Sequence, residues 1–252
     1  MNPYLKQLNK IEFVVTDACT GRCRHCSEGD HTSKGFGIDP EIAAGAVQEV
    51  ATEYDVQTLM TFGGEPLLYP KTVCAIHRMG MQVGIPHRQV ITNGYFSRER
   101  EKMREVAQML AHSGVNDLLL SVDAFHQETI SLETVKAFAE EAMGCNIPVR
   151  LSPAWLVSAD HDNPYNQKTR EILSAFSDLA IPQGAGNVVF FEGNARKYLA
   201  AYFTDVQPQN PYEDDPRNVR CLSIGANGDV LGGNLYRESV MDIIRRYQPQ
   251  QA

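Results

Sequence analysis

Three cysteines lie close together near the start of the chain, at Cys19, Cys23 and Cys26, with the spacing C-x3-C-x2-C. Thiolates this close together, in a loop that contains glycine, can converge on one soft metal centre. Zinc and iron in sulfur sites take four ligands, so three cysteines leave one position to be filled. Either a nearby histidine, His25 or His31, completes a closed structural site, or an exogenous molecule occupies an open catalytic one.

A second motif, Gly63-Gly64-Glu65-Pro66, follows one strand–helix unit after the cysteines. Two glycines at the carboxyl end of a strand allow a ligand to approach the backbone closely, and Glu65 can accept a charge-assisted hydrogen bond from an ammonium group. Gly-Gly before proline is also an ordinary turn. Its position after the three cysteines favours the open catalytic site.

Short β-branched or aromatic runs alternate along the chain with longer segments of helical periodicity. The predicted strands are 11–17, 57–62, 88–92, 117–123, 147–152 and 187–191. The predicted helices are 40–54, 70–84, 98–112, 132–144, 166–179 and 195–203. This alternation predicts an α/β fold with a parallel sheet, and six units favour a partial, open (β/α)6 TIM-like barrel. A doubly wound open sheet is the alternative.

The chain changes character after the sixth unit. Residues 204–220 are rich in Pro, Asp and Asn and are typical of a linker or surface loop. A short β-hairpin around Asn227-Gly228 is predicted next, followed by a helix over 238–247. We therefore expect a core domain over 11–203 and a C-terminal extension over 204–252 that packs on it.

All six predicted strands end in polar, glycine-rich or cysteine-bearing turns, whereas the helix-to-strand connections carry no comparable cluster. Ligands of α/β barrels bind at the carboxyl ends of the strands. We therefore expect the cysteines, the Gly-Gly motif and the polar residues after the later strands to meet at one rim.

The composition excludes several classes of protein. A net charge of −8 argues against a general nucleic-acid binder, although Arg22, Arg24 and Lys34 make the cysteine loop locally basic. No apolar segment is long enough for a membrane span, and the N-terminus lacks the pattern of a secretory signal. Six cysteines without an export signal are typical of thiols or metal ligands, so the sequence predicts a cytoplasmic globular protein.

Together, the two motifs and the alternating elements resemble the radical S-adenosylmethionine (radical SAM) superfamily over about residues 11–203. The resemblance implies that the three cysteines hold one 4Fe–4S cluster, whose fourth iron is chelated by the amino and carboxylate groups of S-adenosylmethionine. It also implies that Gly63, Gly64 and Glu65 orient that amino group.

The same resemblance assigns further cofactor contacts. Asn93, Ser121 and Asp123 would line the ribose or the methionine carboxylate, and residues after the fifth and sixth strands would flank adenine. Many members carry an aromatic residue just before the third cysteine, against adenine. This chain has His25 there, and its imidazole either stacks in the same place or ligates metal.

Several residues at the predicted rim are candidates for substrate contact. Asp123 and His126 follow the fourth strand, and His126 either orients substrate or transfers a proton, or is bonded locally at a helix entry. Glu192 and Arg196 either anchor substrate or belong to a helix cap and a solvated face. The polar loop 156–166 is either a lid or a surface connection.

The segment that begins at Cys221 resembles the start of the SPASM or twitch extension of many peptide-modifying radical SAM enzymes. In those extensions, further cysteines ligate an auxiliary cluster. Here the corresponding positions hold Gly232, Gly233 and Asn234. We therefore expect a degenerate extension without a second cluster.

The resemblance implies an enzyme that cleaves S-adenosylmethionine reductively. The product is a 5′-deoxyadenosyl radical, which abstracts hydrogen from a substrate that we expect to be a peptide or protein. Electron supply implies a flavodoxin- or ferredoxin-type partner. A glycyl-radical-enzyme activase and a small-molecule radical SAM enzyme are the alternatives. From a different class, a non-catalytic zinc or iron–sulfur module would use the three cysteines with His25 or His31.

Overall fold

The computed structural model describes residues 2–32, 34–203, 210 and 214–249. In this part of the chain the main sheet has six parallel strands in the order β5-β4-β3-β2-β1-β8. Its strands are β1 (Lys10–Val14), β2 (Thr58–Phe62), β3 (His87–Thr92), β4 (Asp117–Ser121), β5 (Val149–Ser152) and β8 (Cys221–Ile224). The sheet does not close, so the prediction of an α/β fold with an open parallel sheet is confirmed.

Helices follow the strands in the predicted order, although the fifth and sixth are shorter than the helices predicted over 166–179 and 195–203. They are α1 (Pro40–Glu53), α2 (Pro70–Gln82), α3 (Arg100–His112), α4 (Leu132–Gly144), α5 (Pro164–Ser174), α6 (Gly193–Tyr198) and α7 (Val240–Arg246). The start of α1 shows the local cause, because the Asp39 carboxylate accepts hydrogen bonds from the backbone N–H groups of Glu41 and Ile42. Each of α1 to α4 turns its apolar side chains inward, among them Val47 and Phe138.

The sixth predicted strand is much shorter than the sequence pattern suggested. Only β7 (Asn187–Val188) is regular, and it pairs in parallel with β6 (Ala154–Trp155) in a separate two-stranded sheet. Pro153 lies between β5 and β6 and has no N–H to donate, so it interrupts the fifth strand. The backbone N–H of Asn187 donates to the Pro153 carbonyl at 2.9 Å, which keeps the sixth segment beside the fifth.

The C-terminal extension completes the sheet on its other edge. Strand β8 was expected to pair within a hairpin, but it lies parallel to β1, with Lys10 opposite Cys221. The antiparallel hairpin is formed instead by β9 (Asp229–Val230) and β10 (Gly233–Asn234). The prediction that β8 belongs to the hairpin was therefore wrong. Most of the predicted linker over 204–220 lies outside the described residues.

The N-terminal segment and α7 pack together. The side-chain amide of Asn2 donates to the carbonyls of Ile244 and Tyr247, both at 2.8 Å, and so satisfies the carboxyl end of α7. The rings of Tyr4 and Tyr247 make an edge-to-face contact at 6.4 Å. Among the helices of the described residues, none has the length and hydrophobicity to cross a bilayer.

Candidate functional site

A cavity of about 120 Å³ lies at the carboxyl ends of the strands. The loop after β1 supplies its three cysteines, and the ends of β2, β3 and β4 supply glycine backbone and polar side chains. The residues predicted to contact a cofactor that line this cavity are Cys19, Cys23, Cys26, His25, Gly63, Gly64, Asn93 and Ser121. His126 also lines it. The expectation that these motifs meet at one rim therefore agrees with the geometry.

The cysteine loop turns tightly around Gly21. A Cβ atom at this position would lie 3.3 Å from the Cys23 sulfur and 3.7 Å from the Cys19 sulfur, so both sulfurs adjoin a space that glycine leaves free. The N–H of Gly21 donates to the Cys19 sulfur at 3.3 Å. Three thiols on one cavity wall suit an iron–sulfur cluster, since thiolates are the ligands that such clusters take.

Burial raises the pKa of Cys19 to about 11, and it also raises the pKa values of Cys23 and Cys26. The three thiols are therefore protonated near neutral pH in the metal-free protein. A metal centre that binds there must displace their protons, so binding is coupled to proton release.

Two histidines considered as a fourth ligand border the cavity. The His31 Nε2 atom is 3.1 Å from the Cys26 sulfur, and its Nδ1 atom is 2.7 Å from the Asp17 carbonyl. Possible ligand atoms of Cys23, His25 and His126 lie within 4.8 Å of one another. An imidazole nitrogen of His31 thus lies beside Cys26, and those of His25 and His126 lie beside Cys23.

The glycines after β2 pack against the cysteine loop. A Cβ atom at Gly63 would come within 2.6 Å of the Thr16 carbonyl oxygen, and one at Gly64 within 2.2 Å of the Ala18 carbonyl oxygen. The N–H of Gly64 donates to the Thr16 carbonyl at 2.8 Å. Glycine at both positions therefore brings the end of β2 directly beside the loop that carries the thiols.

Glu65 lies behind the cavity wall and is fully buried. Its carboxylate accepts hydrogen bonds from the Thr92 hydroxyl at 2.7 Å and from the Asn93 N–H at 2.8 Å. Its Oε1 also accepts one from the N–H of Leu67. Burial raises the pKa of Glu65 to about 7, although these donors oppose the increase. Among the described residues, the carboxylate of Glu65 thus bonds to groups of the protein behind the cavity surface.

Asn93 connects this carboxylate to the cysteine loop. Its side-chain amide donates to the Thr20 hydroxyl at 3.2 Å and lies 3.6 Å from the Cys19 sulfur. Because Glu65 fixes the backbone of Asn93, the carboxylate positions a residue that does line the cavity.

Asp123 and His126 form a buried pair after β4. One carboxylate oxygen of Asp123 accepts the Nδ1–H of His126 at 2.8 Å and the N–H of Ala154 at 3.0 Å, and the other accepts the N–H groups of Phe125 and His126. Burial opposes ionisation of Asp123, but the adjacent His126 holds its pKa at about 2. Burial likewise opposes charging of His126, but Asp123 raises its pKa overall. Within the described ranges the Nε2 atom of His126 forms no hydrogen bond, and the residue lines the cavity.

His25 belongs to a stack of aromatic rings. Its ring lies 4.8 Å from that of Phe125 and 4.9 Å from that of His126, and Phe125 stacks on Tyr165 at 4.5 Å. Burial lowers the pKa of His25 to about 4, and its Nδ1 atom has no hydrogen-bond partner among the described residues. The imidazole is therefore a neutral, planar group at the cavity wall.

Glu192 and Arg196, two candidates from the sequence, do not line this cavity. Both are exposed, and the Arg196 guanidinium lies over the ring of Phe191. Between them, Asn194 is buried and contacts the cysteine loop, a contact that the sequence analysis missed. The only sequence signal for it was the position of Asn194 just after the sixth strand.

The loop 156–166 is held together by hydrogen bonds from a side chain of its own, Asn166. The side-chain amide of Asn166 donates to the carbonyls of Leu156, Ser158 and His161, and its oxygen accepts the N–H of Leu156. A lid role for this loop stays a prediction.

Comparison with known proteins gives a family. Residues 13–149, more than half of the chain, match the family model of the Radical SAM superfamily. The GTP 3′,8-cyclase of Picosynechococcus sp. is 24% identical over 133 residues, which are 51% of this chain and 37% of that protein. The probable GTP 3′,8-cyclase of Methanocaldococcus jannaschii is 24% identical over 123 residues, 49% of this chain and 39% of that protein. The matches thus span under half the length of these relatives.

Solved structures share the fold. The structure of anSMEcpe with bound AdoMet and Kp18Cys peptide superposes with a TM-score of 0.57 at 13% identity, over 96% of this chain and 81% of that one. BtrN in complex with AdoMet and 2-DOIA gives a TM-score of 0.52 at 16% identity, over 96% and 84% of the two chains. With its family-model match and its TIM-like barrel fold, the chain belongs to the radical SAM superfamily of enzymes, whose cofactors are a 4Fe–4S cluster and S-adenosylmethionine.

Proposed function

We propose that the protein holds one 4Fe–4S cluster through Cys19, Cys23 and Cys26 and cleaves S-adenosylmethionine reductively to begin radical chemistry on a substrate. The observation that carries this proposal is that all three thiols line one cavity together with Gly63 and Gly64. When bound, the two cofactors supply one-electron cleavage of a carbon–sulfur bond and abstraction of a hydrogen atom from substrate.

The protein's own residues would bind and orient the cofactor and the substrate. Gly63 and Gly64 line the cavity, where their backbone would orient the amino group of the cofactor, and Glu65 keeps the backbone of Asn93 in place. The Asn93 amide and the Ser121 hydroxyl offer hydrogen bonds to a carboxylate or a ribose. Asp123 orients His126 so that its Nε2 atom can bind cofactor or substrate. Glu192 and Arg196 lie outside the cavity and would contact only a substrate large enough to extend beyond it.

His25 has the properties of a stacking surface rather than of a metal ligand in this proposal. Its ring is planar and neutral and already stacks on Phe125. A purine could stack on such a ring in the way that aromatic side chains stack on one another.

We propose a peptide or a segment of a protein as the substrate. Lysine and arginine are absent from the described residues that line the cysteine cavity, so the cavity lacks the cations that a nucleoside triphosphate would need. A second, open groove of about 630 Å³ adjoins Tyr165, on the far side of the stack that includes Phe125 and His25. Such a groove can accept residues that flank a reacting one.

A small-molecule substrate is the second candidate. The curated relatives are GTP 3′,8-cyclases, and BtrN was solved with 2-DOIA. The peptide bound to anSMEcpe supports the first candidate.

The electron would come from a flavodoxin- or ferredoxin-type protein, and exposed Arg22 and Lys34 on the cysteine loop give an acidic donor a place to bind. A cytoplasmic location agrees with six free cysteines and remains part of the proposal.

Anaerobic reconstitution tests the cofactor proposal. The wild type should bind about four iron atoms per chain, change its electron paramagnetic resonance spectrum when S-adenosylmethionine is added, and release 5′-deoxyadenosine after reduction. Cys23→Ala should lose the cluster, whereas Cys74→Ser, a buried cysteine away from the loop, should keep it. Four irons without cleavage of S-adenosylmethionine, or stoichiometric zinc that resists replacement, would contradict the proposal. Clearly more than four irons would reveal a second cluster.

A separate assay tests the substrate. A pool of synthetic peptides should increase the formation of 5′-deoxyadenosine by the reduced enzyme, and GTP should leave it unchanged. An increase with GTP and none with peptides would overturn the peptide proposal in favour of a small molecule.

A further inference from the structure

We infer that Gly193 and Asn194 brace the cysteine loop, so that Asn194 is a positioning residue for the ligands of the cluster. This inference rests on the proposed function for the identity of the cluster. The brace itself consists of contacts between α6 and the turn from Cys23 to Gly29.

Asn194 makes three hydrogen bonds to this turn. Its backbone N–H donates to the Cys26 carbonyl at 2.8 Å, and its side-chain amide donates to the carbonyls of Cys23 at 3.2 Å and Gly29 at 3.1 Å. The residue is only 5% exposed, so water replaces these bonds poorly if they are lost. Through its backbone N–H and its side-chain amide, this one residue thus ties together the two cysteines nearest to each other in sequence.

The chemistry of the brace demands an amide. All three contacts on the cysteine loop are carbonyl oxygens, which accept hydrogen bonds and cannot donate them. The two hydrogens of the side-chain amide match two of these carbonyls. An aspartate of the same size would place acceptors against acceptors, so it should be no better than alanine.

Gly193 permits the close approach. Its φ of +48° lies in the left-handed region, and a Cβ atom there would lie 2.2 Å from the Ser27 carbonyl oxygen and 2.5 Å from that of Cys26. Any side chain at this position would push α6 away from the turn. Lys197 adds an ion pair with Asp30 at 3.1 Å, but both groups are exposed and contribute little.

The cysteine loop needs such support because it has little regular structure of its own. No helix or strand lies between β1 and α1 in the described residues. The sulfurs of Cys23 and Cys26 must nevertheless adopt one relative geometry to share a cluster. Residues that orient metal ligands from outside typically change metal affinity by about 10- to 100-fold.

The test compares two buried asparagines. Asn194→Ala should accelerate the loss of iron to a chelator by about 10-fold or more, and Asn194→Asp should not restore the wild-type rate. Asn166→Ala is the matched control, because Asn166 is equally a buried donor to loop carbonyls but braces the loop 156–166. It should lower stability yet leave the chelation rate close to wild type.

Amide hydrogen exchange in the metal-free protein gives a readout that does not depend on the cluster. Exchange over residues 23–30 should be faster in Asn194→Ala than in the wild type or in Asn166→Ala. If the alanine variant folds poorly, Asn194→Ser keeps one donor and should give an intermediate exchange rate.

The outcomes separate the two proposals. A wild type that binds no cluster would defeat the proposed function, while hydrogen exchange would still test the brace. Wild-type chelation and exchange rates in Asn194→Ala would overturn the brace, as would full rescue by Asn194→Asp, since the side chain would then act only by filling space.

Discussion

Two carboxylates at the rim of the sheet, Glu65 after β2 and Asp123 after β4, are both fully buried but have pKa values shifted in opposite directions. The groups of the described chain that donate hydrogen bonds to Glu65 are all neutral, and burial raises its pKa to about 7. Burial opposes ionisation of Asp123 too, but His126 brings its pKa to about 2. A titratable partner therefore decides the charge of a buried carboxylate at this rim.

The difference gives the surroundings of the cavity two sides whose carboxylates ionise differently. The Asp123 side carries a fixed negative charge that holds His126 in one tautomer and one orientation. The Glu65 side carries a carboxylate that titrates near neutral pH, so its charge can respond to a cation bound nearby. Three substitutions test whether this contrast is real.

Asp123→Ala should have the largest effect on stability. It removes the acceptor of three backbone N–H groups and leaves His126 without its partner, so the free energy of unfolding should fall by about 3–5 kcal/mol at neutral pH. Urea denaturation of the metal-free protein measures this fall in the free energy of unfolding.

The depressed pKa also fixes the pH dependence of that loss. The stabilisation by Asp123 is present above its ordinary pKa of 3.8 and disappears as the pH falls through about 2. Asp178→Ala is the control, because Asp178 is exposed and paired with Lys136. This substitution should not change the free energy of unfolding measurably. A loss for Asp123→Ala as small as that of the control would contradict the charged pair.

Glu65→Gln should change how stability depends on pH. A carboxylate with a raised pKa stabilises the fold fully below its ordinary pKa of 4.5, and this contribution is lost as the pH rises to about 7. The wild type should therefore lose about 3 kcal/mol relative to the variant over this interval. Denaturation series at several pH values measure the difference.

The exposed Glu133 supplies the control for this experiment, since Glu133→Gln should show no such change between pH 4.5 and 7. A wild type that instead gained stability relative to Glu65→Gln as the pH rose would show that Glu65 behaves like Asp123, and the contrast would disappear.

His126→Gln should have the smallest effect of the three. Burial acts to lower the pKa of His126, but Asp123 raises it overall. The stabilisation that His126 gives the fold is therefore fully present below pH 6.5 and is lost as the pH rises through the folded-state pKa. We expect a loss of about 2 kcal/mol at pH 6, which shrinks at higher pH.

Chemical denaturation with His112→Gln as the exposed control measures this effect. A difference between wild type and His126→Gln that grew with pH would mean that the imidazole is held neutral, and that Asp123 owes its low pKa to its backbone donors alone.

Much of the fold could be predicted because its signals are local. The helix predicted over 40–54 begins where α1 begins, and the periodicity over 132–144 predicted the bounds of α4. The helix expected from Arg98 begins at Arg100, after the Ser97 hydroxyl accepts the N–H of Glu99. Caps and periodicity act over a few residues, so the sequence contains them directly.

The site was predictable only in part. The spacing of the cysteines and the rule that strand ends share one rim brought Cys19, Gly64 and Asn93 to one cavity. The sequence did not indicate that Glu65 faces its neighbouring strand, because side-chain direction at a turn depends on which donors the fold brings near.

The sequence by itself determined the alternating elements, the three thiols and the glycines beside them, since periodicity and spacing are properties of neighbouring residues. Tertiary structure alone decided that β8 joins β1 and that Asn194 reaches a carbonyl 171 positions away. Such contacts depend on how whole elements pack, and the free energy of that packing is shared among residues that no local pattern connects.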